Sequence, residues 1–280
     1  MKTIHKKYEA RDFAWDLTFY QLYGDPEDKI WGKIIKEAKQ AKQDRQRSAF
    51  FDDNIPDEYP FVQGDQIAQG LPDVIYECNE FVMGIEMFQF DASGKNRKGS
   101  KMKIAELEVD RKANQEIRKN SKRPLHIEEK VNITFSYSGY IQSLTCTFKE
   151  HAKNIEQYIE KLKQHFPNKK IYFTFYIEDT TAIGNYIIIN GERYEMIPIY
   201  VKEFVDLLEQ HQGIDYLIFN TQDTYIKSIS IHKIADQSID ELRRCCYDMN
   251  NSEFYEYSYK RSSNIYSADP KRNNNSNFPK

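Results

Sequence analysis

The chain has little cysteine: four residues in 280, of which only Cys245 and Cys246 are neighbours. No disulfide framework follows from Cys78, Cys146 and that pair. The spacing suits no zinc site, so a reduced setting is expected. Long apolar runs are also missing; none approaches the roughly 20 residues needed to cross a bilayer. The opening MKTIHKKYEARDF lacks the apolar core of a secretory signal. The expectation is a cytoplasmic protein with no membrane partner. The six histidines are scattered, with no HExxH or His/Cys cluster. His151 and His165 are assigned to the surface by default. An excess of one charge is missing too. The net charge is −3, so an argument for nucleic acid must come from local clustering.

What is present suits a folded α/β protein. Hydrophobic residues make up 40% of the chain and aromatic residues 14%, enough for a packed interior. Asp25 as N-cap, Pro26 at the first helical position and an apolar stripe (Ile30, Trp31, Ile34, Ile35, Ala38) predict a helix over 25–43. Strand patterns follow at 71–77 and 81–90, then a polar helical stretch near 101–120. VNITFSYS and YIQSLTCTF read as two strands joined at Gly139, and a helix is predicted over 149–165. KIYFTFYIED reads as a buried strand. Asn190-Gly191 marks a hairpin, VKEFVDLLEQ a helix, and DYLIFNT and YIKSISIHKI two more strands. The predicted fold class is α/β, a mixed central β-sheet flanked by helices. One domain is expected over 1–250, followed by a polar arm over 251–280 whose end, 268–280, is expected to be disordered.

The stretch PDVIYECNEFVMGIEMFQFD, residues 72–91, carries an acid on each of two paired strands. With a turn centred near Cys78 and Asn79, Asp73 falls opposite Gly84, and Glu86 lies two residues along on the same face. Diagonal neighbours of that kind are about 7–8 Å apart at Cα, close enough for two carboxylates to share one Mg²⁺. The bland alternative is that Asp73 caps the start of a strand and Glu86 sits on a solvated face.

The segment resembles the PD-(D/E)xK nuclease superfamily, in which Pro-Asp opens one strand and the next carries an acid followed two residues later by lysine. Pro72-Asp73 and Glu86 match the first two elements, and the helix over 25–43 fits, with Glu37 as a candidate further acid. The resemblance implies a restriction-endonuclease-like core and Mg²⁺ (or Mn²⁺) held by Asp73 and Glu86. Phe88 stands in the lysine position. A relocated lysine is then implied, Lys101 first, with Lys98 and Lys103 beside it. Gln89 would point to the opposite strand face.

Between Lys95 and Arg123 eleven Lys and Arg face four Asp and Glu. Lys95, Arg97, Lys98 and Lys103 are candidates for holding a phosphate backbone. The loop GKNRKGSK ends Gly-Ser-Lys, not the Gly-Lys-Ser/Thr of a P-loop, and nucleotide hydrolysis is rejected. The tyrosine-rich run Phe254–Tyr266 reads as an edge strand or an arm rather than a base-stacking surface. The resemblance implies a metal-dependent nuclease, acting on DNA rather than RNA, with Asp73, Glu86 and Lys101 as its catalytic residues. By analogy, double-strand cutting implies a homodimer. The alternative is an inactive nuclease-fold module that binds nucleic acid or a protein.

Overall fold

The computed structural model describes residues 13, 17, 21–24, 28–48, 60–91, 111, 115, 119, 126–181, 185–222, 227–249, 252–254 and 257–266. The chain divides into two compact units, Met1–Phe90 with Leu144–Glu253, and Asp91–Ser143 with Phe254–Lys280. Among the described residues no helix is long and apolar enough to cross a membrane.

The first unit is α/β. Its seven-stranded mixed sheet has the order β1 (Gln21–Gly24), β10 (Lys227–Lys233), β9 (Tyr216–Gln222), β6 (Lys170–Asp179), β4 (Phe81–Phe90), β3 (Val74–Glu77), β2 (Phe61–Gln63). Strands β2, β3 and β4 run antiparallel, whereas β6 lies parallel to both β4 and β9. A parallel neighbour cannot be reached by a tight turn. The chain therefore crosses from β4 to β6 through α3 (Tyr137–Ala152) and α4 (Ile155–His165). Nine of the ten residues of β4 are buried, as suits a central strand covered on both faces.

Helix α1 (Lys29–Ser48) covers one face, and a single-turn helix, α2 (Gly64–Ile67), follows β2. Trp31, Ile34 and Ala38 of α1 meet Met83, Ile85 and Met87 of β4 and Tyr76 of β3. The other face packs Ile75 and Val82 under Leu162 of α4, and Phe88 and Phe175 under Phe148 of α3. Period-two alternation along β4 thus assigns Met83, Ile85 and Met87 to one layer and Val82, Glu86 and Phe88 to the other.

Several expectations hold. The helix VKEFVDLLEQ is α5 (Lys202–Leu208), and strands β9 and β10 lie where they were predicted. Strands β7 (Tyr186–Ile189) and β8 (Glu192–Glu195) turn at Asn190 and Gly191, whose φ values of 52° and 83° are what that residue pair accommodates. A capping box at Ser238 and Glu241 opens α6 (Ile239–Arg244), and the short strand β11 (Ser252–Phe254) follows.

Others are corrected. The N-cap of α1 is Asp28, not Asp25: Asp28 Oδ1 accepts the backbone N–H of Ile30 at 2.9 Å and of Trp31 at 3.3 Å. The same oxygen accepts the Tyr216 hydroxyl at 3.1 Å. Asp28→Ala therefore loses a cap and a tertiary bond. A loss of about 1–2 kcal/mol in urea-melt stability is expected. YIQSLTCTF is helix, not strand. Tyr140, Leu144, Phe148 and Ala152 are all buried at a stride of four, which a stride of two also contains. The helix predicted over 149–165 is two helices, broken at Lys153 and Asn154. Of the stretch near 101–120, Arg111, Gln115 and Lys119 are described and are helical.

In the second unit β5 (His126–Phe135) pairs antiparallel with β12 (Tyr257–Tyr266) over ten residues. The tyrosine-rich run is thus a strand along 257–266. The tail 268–280 lies outside the described residues.

Candidate acidic site on strands β3 and β4

The site is built at the end of the β3–β4 ladder. The Cys78 N–H donates to Phe81 O at 3.0 Å, which centres the hairpin loop on Asn79 and Glu80 rather than on Cys78 and Asn79. Gly84 therefore pairs with Ile75, not with Asp73. Val74 pairs with Ile85, so one further step along the ladder sets Asp73 directly opposite Glu86. The predicted register is corrected, and the acids end closer than the diagonal arrangement required. Opposed residues share a face.

Asp73 has a structural duty. Beyond Val74 the next hydrogen-bonded position on β4 is Met87, whose N–H would ordinarily meet the Pro72 carbonyl. That carbonyl is turned against Gly64 instead, and Asp73 Oδ2 accepts the Met87 N–H at 2.9 Å. The bland role foreseen for Asp73, capping a strand start, is thus present. Gly64 completes the corner by donating its N–H to Asp73 O at 2.9 Å.

Glu86 is 5% exposed. Its Oε1 lies 2.7 Å from Nδ1 of His151, on the last turn of α3, and accepts the Tyr158 hydroxyl of α4 at 3.2 Å. Burial, then the charges of Glu86 and Asp73, push the Tyr158 hydroxyl far above its ordinary pKa, so it stays a donor. The Tyr158 ring stacks on Phe173, centroids 6.0 Å apart at 23°.

Phe88, two residues beyond Glu86, is buried and points to the same layer. Its ring stacks on the His151 imidazole at 5.0 Å and 22°, and it meets Phe148 and Phe175 edge-on. No cation fits at this position; an aromatic platform for His151 occupies it.

Glu37 is not part of the site. It lies on α1, across the sheet, where Oε2 accepts the Tyr76 hydroxyl at 2.6 Å. Gln89 points to the opposite face from Glu86, as expected, and donates to Glu178 Oε2 at 2.6 Å. Lys95, Arg97, Lys98, Lys101 and Lys103 lie outside the described residues. His151 and Tyr158 were both missed as site residues. From sequence His151 reads as a surface residue, and Tyr158 as one more position of the helix predicted over 149–165.

Among the described residues no three His, Cys, Asp or Glu side chains converge on a metal position. The two opposed carboxylates are still a suitable donor set for a hard divalent ion. Mg²⁺ commonly takes only one or two carboxylates and keeps several waters. Compared with known proteins, the chain matches no family model, no curated protein and no solved structure.

Proposed function

We propose that this protein is a divalent-ion-dependent nuclease, hydrolysing phosphodiester bonds in DNA rather than RNA. The observation that carries the reading is the placement of Asp73 and Glu86 opposite one another at the end of the β3–β4 ladder. Tyr158 and His151 reach Glu86 from the helices that cover that sheet face. Mg²⁺ or Mn²⁺ held there would polarise a phosphoryl oxygen and lower the pKa of a bound water. The chain's own residues prepare that chemistry. The Met87 N–H pins one oxygen of Asp73, and Tyr158 and His151 pin one oxygen of Glu86. The basic excess between Lys95 and Arg123 supplies charge for a phosphate backbone, and Lys101 is the proposed relocated lysine.

A second reading, an inactive nuclease-fold module that binds nucleic acid, is favoured by Phe88. That ring fills the place of the orienting cation. One experiment separates the two. Linear DNA and a matched RNA are incubated with the protein in Mg²⁺, in Mn²⁺ and in EDTA, beside Asp73→Asn and Glu86→Gln. The nuclease reading expects ion-dependent cleavage, stronger on DNA, that both isosteric variants lose while remaining folded. Salt-sensitive DNA binding without cleavage under any condition selects the second reading.

A further inference from the structure

We propose that His151 and Tyr158 are positioning residues that aim the Glu86 carboxylate at a divalent ion, with Phe88 as the platform that holds His151 in place. The inference rests on the acid-pair reading above and extends it to residues on the crossover helices.

Both hydrogen bonds to Glu86 among the described residues fall on Oε1: His151 Nδ1 at 2.7 Å and the Tyr158 hydroxyl at 3.2 Å. With one oxygen engaged twice, rotation of the carboxyl group about its last bond breaks two contacts at once. Oε2 then becomes the oxygen presented to an ion. A carboxylate that ligates an ion accepts and does not donate, so the positioning role calls for the His151 tautomer with its proton on Nδ1. Outer partners of this kind orient a metal-binding carboxylate, and removing one typically lowers metal affinity about 10–100-fold.

The rings of the two donors are held by stacking, and the Asn154 side chain also reaches the Tyr158 hydroxyl. His151 lies on Phe88 at 5.0 Å and Tyr158 on Phe173 at 6.0 Å, with the ring planes only 22° and 23° from parallel. Phe88 and Phe173 project from adjacent parallel strands into the same layer. The break between α3 and α4 at Lys153–Asn154 allows the two side chains to converge on one atom. Seven residues separate them, and a continuous helix would set them about two turns, or roughly 10 Å, apart along one axis. The break directs each helix end separately toward Glu86. The position where a nuclease of the resembled kind carries lysine is thereby put to a different use. Phe88 supports the group that steadies the acid two residues before it.

Binding of Mn²⁺, followed by calorimetry in the absence of nucleic acid, tests the inference without relying on cleavage. The full chain, His151→Ala, His151→Gln, Tyr158→Phe and Glu86→Gln are compared, with melting midpoints recorded in EDTA. The expected result is binding by the full chain and its loss in Glu86→Gln. Tyr158→Phe and His151→Ala should each weaken it about 10–100-fold. His151→Gln should recover part of the affinity, because its amide can donate. Tyr158→Phe removes one oxygen and keeps the ring, so it stays informative should His151→Ala fail to fold. If both single variants bind like the full chain while Glu86→Gln does not, the acid-pair site survives and the positioning role is overturned. If the full chain takes up no Mn²⁺, both readings fall together.

Discussion

Gly64→Ala is expected to lower stability by about 3 kcal/mol or more and to dismantle the corner that holds Asp73. A Cβ built on Gly64 would stand 1.8 Å from the carbonyl oxygen of Pro72. The obstructing atom is backbone, so no side-chain rotation relieves the contact. The Pro72-Asp73 segment must retreat, and two hydrogen bonds are stretched when it does: Gly64 N–H to Asp73 O and Met87 N–H to Asp73 Oδ2, both 2.9 Å. Overpacking costs about 1–3 kcal/mol and each lost bond about 0.5–1.5 kcal/mol, which together give the expected loss. Gly191→Ala is the instructive comparison. That glycine has φ +83° but nothing within 4 Å of the added carbon. Only backbone strain of about 1–2 kcal/mol is expected there. Urea unfolding of the two variants checks the contrast. A Gly64→Ala midpoint no lower than that of Gly191→Ala would mean that Pro72 yields freely and that Asp73 is not held by this corner. Loss of Mn²⁺ binding in Gly64→Ala beyond its stability loss would tie the corner to the site.

Much of this arrangement could be read from the sequence because it depends on short-range rules. Asn190-Gly191 announces its turn because both residues tolerate positive φ, and both adopt it. Pro72-Asp73 and Glu86 stand out because acids interrupt strand patterns that are otherwise apolar. The register between them turns on a single loop position. Moving the loop centre from Cys78-Asn79 to Asn79-Glu80 shifts every pair by two residues on the far strand. Here the shift brings the acids face to face. His151 left no local sign. It is half-buried and lies next to Ala152, and its value to Glu86 arises only when the chain crosses back over β4. Tyr158 sits in an apolar stripe as its ring requires, and the pattern says nothing of where its hydroxyl ends. The pairing of β5 with β12 joins segments more than a hundred residues apart, Phe135 opposite Tyr257. Periodicity alone cannot match such partners.

The mistaken strand YIQSLTCTF leads to the other large effect, expected on replacing Phe148 by alanine. Phe148 is fully buried and its ring meets four others: Phe175 at 5.2 Å, Phe204 at 5.1 Å, His211 at 5.6 Å and Phe88 at 6.3 Å. Those partners belong to β6, α5, the segment after α5 and β4, so the ring ties the end of α3 to the sheet and to its neighbouring helix. Truncating such a phenylalanine typically costs about 3–5 kcal/mol, the lost transfer energy adding to that of the cavity left behind. The upper half of that range is expected, because four aromatic contacts disappear and the sheet beneath cannot collapse into the gap. Phe148→Leu should recover most of the loss. Cys146 supplies the decisive comparison. In a strand it would share the buried face of Phe148, two residues on. In a helix it turns about 200° away, and it is in fact only half-buried. Cys146→Ala should therefore cost less than about 1 kcal/mol in the same urea series. Equal losses at 146 and 148 would reinstate the strand and remove His151 from the neighbourhood of Glu86. A large loss at Phe148 alone fixes the helix that carries His151. It also predicts that Phe148→Ala weakens Mn²⁺ binding, because the platform Phe88 loses the ring that backs it.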